Sequence, residues 1–544
     1  MQLSLRPWRA ASYYFLNAHV LRGIPVRGEA NHFYSLFQRQ SEFASILREV
    51  LTAPEQLMTI SKAKTFRNII YTLLAKGITL VCVALTTTVV ARNLSASDYG
   101  LVGFATIIIA FLFQFSEIGL IHAAVRRPVL QARSLQTAFT LKIILGSGAF
   151  IAALLIAPFA RHFLDHPATG DVVRILALNF LVSTIGFVPR IVLTREMNYR
   201  ALMIPAVAGS VVQCIVAVVL VLSGWTFWAV VIANVAAALA TGVVIQFTKR
   251  ISVRFHWDWP DAQEFLRFCI PLLGSGVLIF LILNLDNFLV GTSLGSTQLG
   301  YYALAFTWST VIVRLLNDTV NSVLLPTLSA IQNDPAAMRR WYLKTIDLTA
   351  FIAVIANTAL LTNAHWFLTF LGKGTDKWLP AEQSLQILCV YGILRSCIEP
   401  IGSCLMAFGD TKTLLRANAL IGVAEVILLV IALRSGRIEI VAAAVLVAYM
   451  CAAVVYLPFL GRELSIGIPD LVTQIWPLGP ALVMGCLLTL LLPASLGSTL
   501  LGLAGRGLFT ALVVALSHGF CTRFRCFHEA RGMIVPNLAR IRAI

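Results

Sequence analysis

Apolar stretches of about 20 residues, the length a helix needs to cross the hydrocarbon core of a bilayer, recur along the chain near 68–91, 101–124, 138–160, 172–194, 202–223 and 225–247. A second series lies near 267–292, 300–330, 346–371, 384–408, 415–433 and 438–460, with a final pair near 471–493 and 499–520. The pattern predicts an all-α, polytopic membrane protein of about fourteen transmembrane helices. Polar residues gather between these stretches. On one side the loops are roughly a dozen residues at most, too short to hold a soluble domain of ordinary size, so any chemistry must sit within the membrane.

Composition agrees with that pattern. Hydrophobic residues make up 58% of the chain, charged residues 12%, and mean hydropathy is +0.83, whereas a soluble chain is about 25% charged. The formal charge of +17 does not point to nucleic acid, because no soluble domain offers a basic face. It marks cytoplasmic loops instead. About 23 Lys and Arg fall on one side, among them Lys62, Arg126, Lys249, Arg339 and the tail from Arg523, against about seven on the other, including Arg92, Arg161, Lys373 and Lys377. That imbalance places both termini in the cytoplasm. The ten cysteines are scattered through apolar segments as small hydrophobes and form no disulfide framework. Residues 1–60 are mixed in polarity and lack the apolar core of a signal peptide; they read as a cytoplasmic extension or as residues ahead of a start at Met58.

Residues 67–107 overlay 267–307 without a gap at an offset of 200: Arg67 on Arg267, Leu73 on Leu273, Leu94 on Leu294, Gly100 on Gly300 and Ala105 on Ala305. The loop match weighs most, because coincidences inside apolar helices are cheap. Farther on the offset becomes 212, with Gly224 on Gly436. A repeat of six spans returns the chain to its starting side, so the halves should be parallel six-helix bundles related by a pseudo-twofold axis along the membrane normal. The resulting division is an extension at 1–60, a first bundle at 61–250, a second at 251–462, and two extra helices with a basic tail at 463–544.

Asn-Leu-Ser-Ala-Ser-Asp-Tyr-Gly-Leu-Val-Gly-Phe at 93–104 and Phe-Ser-Glu-Ile-Gly-Leu-Ile-His-Ala-Ala-Val-Arg-Arg at 115–127 resemble the first two helices of polysaccharide exporters of the multidrug/oligosaccharidyl-lipid/polysaccharide superfamily. Thr-Arg-Glu-Met-Asn-Tyr-Arg at 194–200 and Gly-Trp-Thr-Phe-Trp-Ala-Val-Val at 224–231 are similar to its Wzx-type and WzxC-like flippase branch. The resemblance covers roughly residues 61–460. It implies a V-shaped pair of bundles around a cavity open alternately to each side of the bacterial inner membrane, and a cargo of sugar repeat units on undecaprenyl pyrophosphate.

Ionisable residues at a helix centre cost roughly 2.5 to 3.5 kcal/mol each on insertion scales, and they normally face protein or water. Arg314 and Asp318 sit mid-span four residues apart, on one helix face, and Arg395 and Glu399 repeat the spacing. Both pairs read equally as cavity walls, whose arginines offer bidentate donors to pyrophosphate or acidic sugars, and as self-neutralised pairs that pin packing. Lys76, Glu117, Asp286 and Glu425 have no charged partner within one turn, so their partners must come from other helices. Lys76 joins the cavity candidates. Glu117, Asp286 and Glu425 are ion-coupling candidates, since a buried carboxyl favours its neutral form and can take up a proton. Arg190 and Lys142 lie nearer helix ends and are expected to snorkel. Pro271, Pro326 and Pro400 interrupt spans and suit kinks.

Three motifs are decoys. Gly-Lys-Gly-Thr at 372–375 lacks the earlier glycine and the strand of a phosphate-binding loop. Gly146 and Gly148 suit close helix packing, and Cys521, Cys526 and His528 are too few and oddly spaced for zinc. No cofactor, metal or ATP motif is expected, so transport would draw on an ion gradient or on consumption of the product. The reading is therefore a flippase for lipid-linked oligosaccharides, not an enzyme, working in the phospholipid bilayer beside a polysaccharide polymerase or glycosyltransferases. The rivals are a multidrug or cation antiporter, which needs an acidic and aromatic pocket, a lipid II flippase, and a membrane polymerase, which would need an outer or cytoplasmic catalytic domain. Arg506 interrupts the last span, which is expected to be shielded by the bundle or bent.

Overall fold

The computed structural model describes residues 54–521 apart from 128–130, 197, 252–253, 332–333, 468, 471–475, 477 and 491–499; side chains are described from Tyr71 onward, with gaps that include 315–319. Pro326 and the cluster at Cys521, Cys526 and His528 lie outside the described side chains. The chain divides into two compact units, Met1–Ile70 and Tyr71–Ile544, and the packing and polar contacts of interest belong to the second.

All described elements are helical: α1 Pro54–Asn93, α2 Ala96–Glu117, α3 Leu120–Arg126, α4 Ala132–Phe163, α5 Thr169–Val182, α6 Phe187–Arg195, α7 Tyr199–Leu222 and α8 Thr226–Thr248 in the first half. The second half holds α9 Trp259–Ala330, α10 Pro335–Thr362, α11 Ala364–Leu371, a 3₁₀ turn at Asp376–Ala381, α12 Glu382–Ile398, α13 Pro400–Phe408, α14 Thr411–Leu433 and α15 Ile438–Glu463. Two further helices follow, α16 Leu478–Leu490 and α17 Leu500–Cys521. Local signals start several of them. Ser95 caps α2 by accepting from the Asp98 amide at 3.0 Å, Asp334 caps α10 by accepting from Ala337 at 3.0 Å, and prolines open α9, α10 and α13, where a missing N–H costs nothing.

Ten described helices are long and apolar enough to cross a membrane, or eleven when α5 and α6, bent by 51°, count as one span. The described chain is thus a multi-pass membrane protein. Its outward faces show it at helical spacing: α14 exposes Leu420, Val423, Ile427 and Ile431, and α7 exposes Ile215, Val219 and Leu222. Such stripes suit lipid tails.

Helix α9 is not one rod. Sixteen residues of straight helix would hold Asp286 and Tyr302 about 24 Å apart, yet the Tyr302 hydroxyl donates to Asp286 Oδ2 at 2.7 Å. The chain reverses at Gly295, whose φ of 86° and ψ of 174° break the helix in a region that glycine enters at little cost. Helix α2 lies against both arms. It runs antiparallel to the first, pairing Phe104 with Phe288 and Phe111 with Phe280. Along the second arm its neighbours sit at the repeat offset: a β-carbon on Gly100 would overlap the Ser296 carbonyl, one on Gly300 would overlap the Ala96 carbonyl, and Gly103 faces Ala303. In-register contacts mean that these two segments run in the same direction, and the reciprocal pattern is that of a local twofold.

Two expectations meet a structural answer here. Lys142 does not snorkel: it is fully buried, because α2 ends at Ile118 and Gly119, both with positive φ, and the lysine caps that broken end. Its ammonium donates to Ser116 Oγ at 3.0 Å and to Glu117 Oε1 at 2.8 Å. Arg190 is exposed on α6. Arg506 is shielded. It is 5% exposed, donates to Asn363 Oδ1 at 3.0 Å and lies over the Trp366 ring, so α17 packs back onto α10 and α11.

Because backbone fills the space at the glycine crossing, Gly300→Val is expected to cost about 1–3 kcal/mol of overpacking. A lower thermal unfolding midpoint in detergent checks it, and Gly505→Val, where nothing lies nearby, should change little.

Candidate functional site

Beneath the crossing lies a cavity of about 280 Å³ walled from both halves of the chain. Helix α1 supplies Cys82, Thr86 and Thr87, α2 supplies Tyr99 and Thr106, α7 supplies Ser210 and Gln213, and the two arms of α9 supply Asn284, Asn287, Phe306, Thr307 and Arg314. The described lining is apolar with neutral hydroxyl and amide groups set into it. Arg314 is its one charged residue. Such a wall exchanges hydrogen bonds with water for hydrogen bonds with an uncharged polar ligand, and offers a single cation to an anionic group.

The C-terminal end of α1, whose Val90 lines the cavity, is closed off by contacts between distant parts of the chain. The last turn of α1 leaves carbonyls unsatisfied, as every helix C-terminus does, and the second half fills them. The Trp378 indole N–H and the Lys377 ammonium both donate to the Ala91 carbonyl, at 2.9 and 3.0 Å. Lys373 donates to Asn93 Oδ1 at 2.9 Å, while Arg92 donates to the Phe370 carbonyl at 3.0 Å and lies over that ring. Trp378 is fully buried there. The 372–375 turn is therefore part of this closure. On the other side of α2, Arg127 pairs with Asp261 at 2.7 Å and with Glu264, joining the end of α3 to the start of α9.

Beside the cavity, in the second half, the structure gathers a buried polar cluster. Asp286 is 1% exposed and accepts from Tyr302 and, at 3.0 Å, from Asn287 Nδ2. Arg395 donates to Glu399 Oε1 at 2.6 Å and to the Tyr391 hydroxyl at 3.3 Å, and lies within electrostatic reach of Asp286. Glu425, 2% exposed, lies within reach of both Asp286 and Arg395, and its Oε2 has no hydrogen-bond partner among the described residues. Tyr449 packs edge-on against Tyr391 at 4.8 Å between centroids. Charges this deep persist only when paired and hydrogen-bonded.

The sequence candidates thus separate. Arg314 faces the cavity, and the Asp318 side chain lies outside the described ones. Arg395 and Glu399 pair with each other behind the wall, together with Asp286 and Glu425. Glu117 pairs with Lys142 in the first half, and Lys76 is half-buried in α1, six residues before the first described lining position. Sequence reasoning passed over Asn284 and Asn287, although the run Asn284-Leu285-Asp286-Asn287 concentrates polar groups in an otherwise apolar span. Tyr302, Tyr391 and Trp378 gave no signal of their own.

Known proteins share both the sequence and the fold behind this geometry. The model of a family described as polysaccharide biosynthesis protein matches residues 89–383, more than half of the chain. The chain belongs to that family. Among its relatives is the lipopolysaccharide biosynthesis protein WzxC of Escherichia coli (strain K12), 27% identical over 363 residues, which span 64% of this chain and 70% of that protein. In fold the chain is similar to the lipid II flippase MurJ in an inward closed conformation, with a TM-score of 0.66 and 12% identity over 84% of this chain and 99% of that one. It is also similar to an inward-facing multidrug resistance MATE family transporter of the MOP superfamily, with a TM-score of 0.60 and 15% identity over 72% and 98%. At such identities these two likenesses speak for the fold alone.

Removing one partner of a buried ion pair strands the other, at a cost of about 3–5 kcal/mol. Arg395→Met is expected to destabilise the protein by that amount in thermal unfolding, and the double variant Arg395→Met/Glu399→Met to recover part of the loss.

Proposed function

We propose that this family member is a flippase that carries undecaprenyl-pyrophosphate-linked oligosaccharide repeat units, of O-antigen or exopolysaccharide, across the bacterial inner membrane by alternating access. The observation that carries the reading is the cavity. It is walled by both halves of the chain, lined with neutral hydroxyl and amide groups suited to sugars, and supplied with one guanidinium suited to phosphate. Membership of a polysaccharide biosynthesis family and a flippase-like fold support it.

In this mechanism the wall replaces the hydration of the sugar head, Arg314 pairs with the pyrophosphate, and the polyprenyl tail stays in lipid along the apolar outer faces. The cost of moving a charged head through hydrocarbon falls, and no bond is made or broken. The paired glycine segments form the hinge region between two parallel six-helix bundles, 61–250 and 251–462, with both termini cytoplasmic and about fourteen spans in all. Glu117, Asp286 and Glu425 are the groups through which proton uptake would drive the cycle, each being a carboxyl within a span and, for the last two, deeply buried. Polymerase or glycosyltransferase partners would supply and consume the cargo. A multidrug antiporter is disfavoured, because the described lining carries no carboxylate.

Lipid extraction and mass spectrometry of cells lacking the protein should show lipid-linked oligosaccharide accumulating on the cytoplasmic leaflet. Wild type should restore export, while Arg314→Ala should lower it about tenfold or more, the worth of a lost charge-assisted hydrogen bond. Unchanged lipid-linked sugars together with greater sensitivity to cationic drugs would transfer the assignment to the antiporter.

A further inference from the structure

Two residues belong at once to the cavity wall and to the buried cluster. Asn287 lines the cavity and donates to Asp286 Oδ1 at 3.0 Å. Phe306 lines it as well and packs on Tyr302 and Tyr391, with centroids 6.2 and 6.1 Å away. Asp286 itself is buried behind them and is not among the described lining residues.

A side-chain amide is a flat group with an acceptor at one end and a donor at the other. What it gives to one neighbour fixes what it offers on the opposite side. When Asp286 is ionised, Asn287 turns Nδ2 toward the carboxylate and leaves Oδ1 for the cavity, where it can accept from a sugar hydroxyl. When Asp286 takes up a proton, its Oδ2 goes on accepting from Tyr302 and its Oδ1 becomes a donor in need of an acceptor. Asn287 meets that need by rotating Oδ1 inward, and the rotation brings Nδ2 to the cavity. An unsatisfied buried donor would cost about 1–3 kcal/mol, enough to drive the turn.

We propose that Asn287 is a positioning residue that relays the protonation state of Asp286 to the cavity, presenting an acceptor to sugar hydroxyls in one state and a donor in the other. The relay rests on the oligosaccharide reading of the cavity and deepens it, because it ties cargo recognition to proton uptake through one amide. The groups within reach of Asp286 are Tyr302 from the other arm of α9, Tyr391 and Arg395 from α12 and Glu425 from α14; Glu399, just past the end of α12, and Tyr449 from α15 touch that set through Arg395 and Tyr391. Arg395 is held by Glu399 and Tyr391, and Tyr302 is held by Asp286. Glu425 is the other carboxyl able to take a proton here, and no described hydrogen bond links it to the lining.

The test compares two probes on the purified full-length protein at about pH 6 and about pH 8: undecaprenyl pyrophosphate alone and the same lipid bearing one N-acetylhexosamine. In wild type the affinity ratio of the sugar-bearing to the bare lipid should shift about fivefold between the two conditions, the worth of one net hydrogen bond. Asp286→Asn and Asn287→Leu should each abolish the shift in that ratio, whatever either does to affinity for the bare lipid; Asn287→Gln, which keeps an amide, and Glu425→Gln should retain it. Should Asn287→Leu not accumulate, Asn287→Ala carries the same expectation. A wild-type shift that persists in a folded Asn287→Leu or Asn287→Ala protein overturns the relay, as does a ratio that does not move in wild type, or a shift lost in Glu425→Gln and kept in Asp286→Asn. If neither probe binds wild type, the flippase reading itself falls.

Discussion

Everything in the membrane unit is organised around a place where no side chain fits. At Gly100 and Gly300 the backbones of α2 and the second arm of α9 come into direct contact, and a β-carbon on either glycine would strike a carbonyl of the facing helix. Close approach of this kind is how helices associate in lipid, where the hydrophobic effect gives them no reason to do so and packing and hydrogen bonding must serve. The Ser97 and Ser296 hydroxyls, 2.7 Å apart, add such a bond at the same point. The cavity lies next to this contact, where Val102, Gly103 and Ala303 line it. Its walls come from both halves because the contact is between the halves.

The second constraint is electrostatic. Hydrocarbon gives a buried charge nothing to replace water, so the fold has to supply partners from the chain itself. Lys142 receives Glu117 and Ser116, Arg395 receives Glu399 and Tyr391, Arg506 receives Asn363, and Asp286 receives Tyr302 and Asn287. In each case at least one partner comes from another turn or another helix, and the bond fixes the azimuth of both. The charges therefore set the rotation of the helices as well as marking where chemistry can occur.

How far the sequence revealed this depends on the range of each interaction. Spans were legible because about 20 apolar residues in a row have one physical meaning, and the offset of 200 was legible because Gly100 and Gly300 are held by the same contact seen from both sides. The pairing of Arg395 with Glu399 was legible too, being local. Lys142 was misread because its place near a helix end suggests an escape to the interface, and only the break at Ile118 and Gly119, which brings Glu117 back over it, makes burial affordable. Arg314 and Arg395 look alike in sequence, yet one faces the cavity and the other stands behind the wall. That difference is set by helix rotation against distant neighbours, and no local spacing contains it. The Trp378 and Lys377 contacts with Ala91 span 287 and 286 residues and left no mark on the pattern.

That last closure joins two side chains to a carbonyl of the main chain. Because the acceptor is an atom that every amino acid carries, the contact is indifferent to the identity of residue 91 beyond its small size. Drift at residue 91 would leave this pair of bonds intact, while a slip of the helix by a single residue would remove it. The closure measures where α1 ends, and so acts as a ruler for the length and depth of that helix.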